Sequence, residues 1–331
     1  MKRRLGFKKI CIILVIVVLL VMLSDVLGIG GGSKPVEIKV RSGYSLDVIA
    51  DELKDSGVIN NKFMFKVYAH LTGEHIYQIG VHRLNPSMSY GKILENLETA
   101  DVRDEIQVLI PEGYELYKVA DVLEENGLIN REAFMQEIEN GDFDYEFVKN
   151  IPERENRLEG YLFPDTYNFY LDESEYDIID KMLKNFEKQV LPVYEKAETD
   201  KSLDDIIKLA SVIEREAAND DERTTVASVL TNRLNSGKRL ESCATVQYIL
   251  KERKSVLSNE DTRIDSPYNT YMYGGLPIGP IASPGIKSIE AALYPAETNY
   301  MFFISVKDGS YSLFSETLEE HLEKQKEIQG D

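Results

Sequence analysis

Tryptophan is absent from the 331 residues, and there are only two cysteines and four histidines. Two thiols, Cys11 and Cys243, exclude a disulfide-stapled scaffold and a cysteine-built zinc site. His70, His75, His82 and His321 show no ligand spacing, so no metal and no cofactor are expected. Without tryptophan, aromatic stacking falls to 19 Tyr and 12 Phe. Positive charge is also short: 38 basic residues face 57 acidic ones, and a formal charge of −19 argues against a nucleic-acid partner. Apolar side chains make up 43% of the chain, enough for a substantial core. At roughly 100–200 residues per domain, two or three units are expected.

The one long apolar run goes from Ile10 to Leu23 and continues, past Ser24 and Asp25, to Ile29. About 20 helical residues cross a hydrocarbon layer of roughly 30 Å. Lys2, Arg3, Arg4, Lys8 and Lys9 precede the run with no acidic residue among them, which keeps the N-terminus cytoplasmic. The expectation is a cytoplasmic tail over 1–9, a single transmembrane helix over 10–29, a linker over 30–35, and the remainder outside the cell membrane. A cleaved signal peptide competes with this reading, but no A-x-A-like cleavage site follows the run. Cys11 and Cys243 then lie on opposite sides and do not pair.

A repeat follows. Val36–Phe65 matches Ile106–Phe134 at an offset of 70, with Gly43/Gly113, Tyr44/Tyr114, Leu46/Leu116, Ala50/Ala120, Leu53/Leu123, Gly57/Gly127 and Asn60/Asn130 in common. Each copy reads as an alternating strand, a turn at Gly43 or Gly113, and a helix with apolar residues at a 3–4 spacing. Gly57 or Gly127 closes that helix as its C′ residue. The pattern resembles half of a LysM-like carbohydrate-binding unit, whose full form is βααβ; a plain spacer explains the same apolar pattern. The first unit is set at 36–104 and the second at 105–150.

From residue 151 the composition changes, with Gly, Pro and Tyr clustering in 161–170 and 266–285. Long helical patterns run over about Ile178–Ala197 and Ser202–Ala218, short ones over Val226–Leu234 and Lys287–Leu293. Strands are expected at Tyr300–Val306 and Tyr311–Phe314, then a charged helix at Glu316–Ile328. The class is α+β, with a mixed α+β domain over 151–331.

The informative segment is Ile206–Glu222. Ile206, Ala210, Ile213 and Ala217 form a stripe that faces the core, and Glu214 stands at its edge with Ile207, Ser211 and Ala218. A carboxyl in that setting is desolvated and its neutral form favoured, which is what a general acid needs. A boundary glutamate paired with Arg215 or Lys208 fits the spacing as well. Glu216 leaves the helix on another face, so the two glutamates do not flank one bond. Asp165, Asn269 and Tyr271 lie on Gly- and Pro-rich loops that suit ligand contact or turn formation equally.

The runs EGYLFPDTY (159–167), LASVIEREA (209–217), VASVLTNRL (226–234), ATVQY (244–248), SPYNTY (266–271), GLPIGPIASPG (275–285) and SIEAALYPAETNYMFFIS (288–305) resemble the YceG-like endolytic murein transglycosylases. With the anchor and the LysM-like region, the resemblance covers nearly the whole chain. It implies a lyase that cuts nascent peptidoglycan strands between N-acetylmuramic acid and N-acetylglucosamine and leaves a 1,6-anhydromuramic end. It also implies proximity to penicillin-binding proteins and the elongation machinery. The family's catalytic glutamate falls on Glu214, and substrate contacts are expected from Asp165, Tyr167, Thr245, Tyr248, Asn269 and Tyr271. Where members often carry Asp-Pro or Asp-Ala, this chain has Cys243-Ala244, so position 243 supplies no carboxylate. The competing functions are a non-catalytic wall-binding scaffold and a hydrolytic muramidase that draws a second carboxylate from Asp165 or Asp265.

Overall fold

The computed structural model describes residues 17, 20–41, 43–99, 105–254 and 256–330. The expected cytoplasmic tail and most of the expected span lie outside the described residues. Residues 20–27 are helical, and among the described residues no helix is long and apolar enough to cross a membrane. The chain divides into two compact units, 1–105 and 106–331.

In the first unit, β1 (Val36–Val40) pairs antiparallel with β2 (Gly80–Leu84), with Ile38 opposite His82. Between them come two helices, α1 (Leu46–Asp55) and α2 (Lys62–Thr72), and α3 (Tyr90–Glu98) follows. The order is therefore strand, helix, helix, strand. Ser45, Asn61 and Ser89 each accept a backbone N–H of the first turn that follows, as N-caps do. Gly57 sits just past α1 at φ 73°, the left-handed position expected of a C′ glycine. Ile38, Ile49, Leu53, Phe65, Leu84 and Leu97 form the core.

Two histidines of this unit are held by protein groups. Both His82 ring nitrogens lie 2.8 Å from backbone carbonyls, those of Asn96 and Gln78, and His75 is bound to Thr72 and Glu98. Asp25, near the end of the apolar run, accepts from the Asn60 backbone and side chain and from the Tyr90 hydroxyl. The end of that run is thus drawn onto the folded unit by a charged residue that hydrocarbon would not accept cheaply.

The second unit begins with the second copy of the repeat. It contains β3 (Glu105–Leu109), α4 (Leu116–Glu125), α5 (Arg131–Asn140), the short α6 (Glu146–Lys149) and β4 (Thr166–Tyr170), the partner of β3. Each copy therefore carries a second helix, α2 or α5, that the sequence reading left out; polar or charged residues, four in α2 and six in α5, blur its period. Next come α7 (Glu175–Lys196), α8 (Leu203–Glu216), α9 (Arg223–Asn235), α10 (Cys243–Leu250) and α11 (Ile286–Leu293). The antiparallel hairpin β5 (Phe302–Ser305) and β6 (Ser312–Ser315) and α12 (Leu318–Gly330) end the chain.

Helix α8 is the centre of this unit. Ile206, Ile207, Leu209, Ala210, Val212 and Ile213 are all buried, so it is apolar almost all round and packs against α9, α10 and α11. Ser202 caps its start. In the same turn Asp204 takes two bonds from Arg154, at 2.8 and 2.9 Å, one from the Tyr161 hydroxyl, and the Lys208 ammonium at 2.7 Å. Those partners hold the Asp204 carboxyl below the usual range against the opposing effect of burial. One continuous core includes the second repeat, α7, α8 and α11.

Candidate active site

Glu214 lies on the last turn of α8, and its side chain is 6% exposed. Its neighbours on the helix, Ile207 and Ser211, are fully buried, as the apolar stripe requires. Three groups reach its Oε2: the Gly285 backbone N–H at 3.1 Å, the Ser288 hydroxyl at 2.8 Å and the Arg223 guanidinium at 3.1 Å. Gly285 is the N-cap of α11 and Ser288 stands in its first turn, so the carboxylate also faces the positive end of that helix. Arg223 donates to the Ser288 hydroxyl as well, at 2.6 Å, and to Asp220 at 3.0 Å, which fixes the guanidinium. Among the described residues, all of these contacts fall on Oε2; Oε1 is the oxygen that remains for a ligand.

The floor of the site comes from two loops tied together by backbone bonds. Gly113 N–H donates to the Ser283 carbonyl and Ser283 N–H to the Tyr114 carbonyl, both at 2.8 Å. The turn of the second repeat is thereby fastened to the 275–285 loop. Ser211 on α8 receives the Ile281 N–H at 3.0 Å, which anchors that loop to α8. Arg215 donates to the Gly113 carbonyl at 3.2 Å and to the buried Glu115.

Glu216 faces elsewhere, as the i, i+2 spacing requires. Its Oε1 accepts from Ser242, the N-cap of α10, and from Ala244 N–H at 3.3 Å, and burial pushes its carboxyl up. It lines a cavity of about 460 Å³ together with Arg233, Ser242, Cys243, Tyr271 and Phe302. Cys243 is a free thiol with Sγ 3.1 Å from the Tyr271 hydroxyl.

The remaining sequence candidates fall into two groups. Tyr271 lines the 460 Å³ cavity, and Asp165 is exposed, with one oxygen accepting from Asn185 at 2.9 Å and the other from Thr166 N–H. Tyr167, Thr245, Tyr248 and Asn269 are buried with their polar atoms committed to the protein. Tyr167 donates to the Phe163 carbonyl at 2.6 Å, and Thr245 donates to the Ser242 carbonyl at 2.8 Å. Asn269 donates to the Thr262 and Ile264 carbonyls and accepts from Tyr271 N–H, so it shapes the 266–271 loop as an Asx turn does. Tyr248 donates at 3.0 Å to Glu159, whose carboxylate also takes the Leu116 N–H at the start of α4. Burial pushes Glu159 up to about 8, against the pull of those two donors. Asp265, a candidate second carboxylate, accepts from the Tyr273 hydroxyl at 2.5 Å on an exposed loop.

Sequence reasoning did not single out Arg223, Gly285, Ser288 or Glu112. The first three bind Glu214 directly, and Gly285 and Ser288 end and begin two of the runs quoted above. Among the described residues no group of His, Cys, Asp and Glu could hold a metal ion.

Residues 38–327 match the YceG-like family. An endolytic murein transglycosylase of Bacillus subtilis is 33% identical over 86% of this chain and 82% of its own length. One from Streptococcus pneumoniae serotype 2 is 27% identical over 91% of this chain and 60% of its own. The crystal structure of a putative YceG-like protein from Listeria monocytogenes superposes with a TM-score of 0.59 at 31% identity, over 88% of this chain and 99% of that one. A buried glutamate on the central helix, held by the first turn of another helix, and this likeness along nearly the whole chain agree: the protein belongs to the YceG-like family.

Proposed function

We propose that the protein is an endolytic lytic transglycosylase that cuts nascent peptidoglycan strands between N-acetylmuramic acid and N-acetylglucosamine and leaves a 1,6-anhydromuramic end. The observation that carries the reading is Glu214, an enclosed carboxyl with Oε2 fixed by three donors. In its acid form it protonates the glycosidic oxygen as the C1–O bond breaks. The same carboxylate then takes the proton of the muramic 6-hydroxyl as that oxygen closes on C1. No water is consumed, so one carboxyl suffices, with the substrate's N-acetyl oxygen available to stabilise C1 in between. The names of the Bacillus and Streptococcus relatives support the same activity.

Two further parts rest on the sequence. Five basic residues ahead of an apolar run support a single N-terminal anchor with the enzyme body outside, where it meets glycan as it is made, near penicillin-binding proteins and the elongation machinery. The strand, helix, helix, strand order of the first unit supports a LysM-like glycan contact there.

The test is product analysis on uncrosslinked strands. Glu214→Gln is expected to fold and to lose cleavage by at least about 100-fold, the usual size of an acid/base contribution. Reducing ends from the wild-type protein identify a muramidase, and no cleavage identifies a wall-binding scaffold. Either result rejects the reading.

A further inference from the structure

The second repeat brings another carboxyl to the site. Glu112 belongs to the turn tied to Ser283, and its carboxylate lies against Gly285. A Cβ at position 285 would come within 2.0 Å of Glu112 Oε1 and 2.2 Å of its Cδ. Gly285 has φ −74°, a conformation open to any residue, and the Glu112 carboxylate occupies the space where a side chain at 285 would begin. The N–H of the same glycine donates to Glu214 Oε2. Two carboxylates therefore flank one residue at the start of α11. Glu112 is exposed where the Glu214 side chain is nearly enclosed.

We propose that Glu112 is a positioning residue of the reaction, whose carboxylate beside Gly285 opposes by its charge the loss of the acid's proton before substrate is bound. The inference rests on the reading of Glu214 as the acid. Negative charge on one carboxylate opposes the appearance of a second one nearby. The charged groups that face Glu112 are Glu214 on α8, Arg223 on α9, Asp220 before it and Lys287 on α11. Partial desolvation and, after it, the Glu214 charge push the Glu112 carboxyl up, with Asp220 adding to the rise and Arg223 and Lys287 opposing it. During turnover the proton count of the pair is unchanged: one proton leaves with the breaking C1–O bond and one returns from the 6-hydroxyl as O6 bonds to C1.

The sequence records the same change. At the offset of 70, the counterpart of Glu112 is Ser42, so the carboxyl appears only in the copy that reaches the catalytic helix.

The experiment is the pH profile of kcat for the full chain and for Glu112→Gln on uncrosslinked strands. Glutamine keeps the shape and removes the charge. The alkaline limb is expected to move down by about one pH unit, so that activity falls about tenfold above the limb and stays near wild type at pH 5. A profile of unchanged shape, whether scaled down or not, overturns the proposal. A second measurement does not depend on activity: in Glu214→Gln, the Glu112 side-chain carboxyl followed by carbon NMR is expected to titrate at lower pH than in the wild type. An unmoved titration overturns the coupling. Activity retained in Glu214→Gln instead overturns the reading of the acid, so the two failures are distinguishable.

Discussion

The two copies of the repeat start from the same module and end in different work. In the first copy Ser45 caps its own helix through the Val48 N–H, and the module closes with its own strand partner, β2. In the second copy the equivalent residue is Glu115, which makes no cap bond. Its buried carboxylate pairs with Arg215 of α8 and with Lys118 at 2.8 Å, and those partners hold it below the usual range against burial. The cap for α4 comes instead from Glu159, 43 residues further on. A self-sufficient module has thus become one whose turn and helix start are completed by Glu159 and α8. What distinguishes the copies is where the polar groups of one turn find their partners, since the apolar pattern is shared.

Removing the Glu115 carboxylate should break the second copy's arrangement most severely. Glu115→Ala leaves Arg215 buried and unpaired, and a loss of about 3–5 kcal/mol is expected in urea unfolding of the second unit. A loss below about 1 kcal/mol would show that Arg215 finds another partner and that the pair does not tie turn to helix.

Glu159 separates the copies by pH. Its carboxyl stands at about 8 in the fold against an ordinary 4.5, so between those values the folded state binds a proton that the unfolded state has released. Stability from this group is therefore present at low pH and is lost as pH rises from 4.5 through 8. Glu159→Gln is expected to flatten that decline and to raise Tm relative to wild type at pH 8, measured by calorimetry at pH 5 and 8. An identical difference at both values would contradict the assignment.

The smallest effect belongs to the first copy. Ser45→Ala removes an ordinary cap, and about 0.5–2 kcal/mol is the expected cost, with cleavage of free strands unchanged. Lost cleavage in that variant would mean that the first copy also shapes the reaction.

Much of this was legible in the sequence. The stripe Ile206, Ala210, Ile213 predicts the buried face of α8 and puts Glu214 at its edge, and the C′ glycines Gly57 and Gly127 fall where the 3–4 pattern ends. Period and capping are local, so sequence carries them. The partners of Glu214 are not local. Arg223, Gly285 and Ser288 stand 9, 71 and 74 positions away and are brought in by packing of α9 and α11 on α8. Helix α10 has no counterpart among the expected elements, because four of its eight residues are buried on more than one side and leave no clear period. Buried Asn269 looked like a ligand contact because loop composition does not reveal which way an amide points. Glu112 did leave a signal, the Ser42/Glu112 difference beside the shared Gly-Tyr of the turn.

The account's central claim is that the second copy belongs to the catalytic machinery and the first does not, and that one glutamate in that unit cleaves without water. The most direct measurement is mass analysis of the products when a chain of residues 105–331 is given free uncrosslinked strands. The account predicts cleavage, with new ends lighter by one water than reducing ends and lost in Glu214→Gln. A folded 105–331 chain that cuts nothing, or that releases reducing ends, would contradict it.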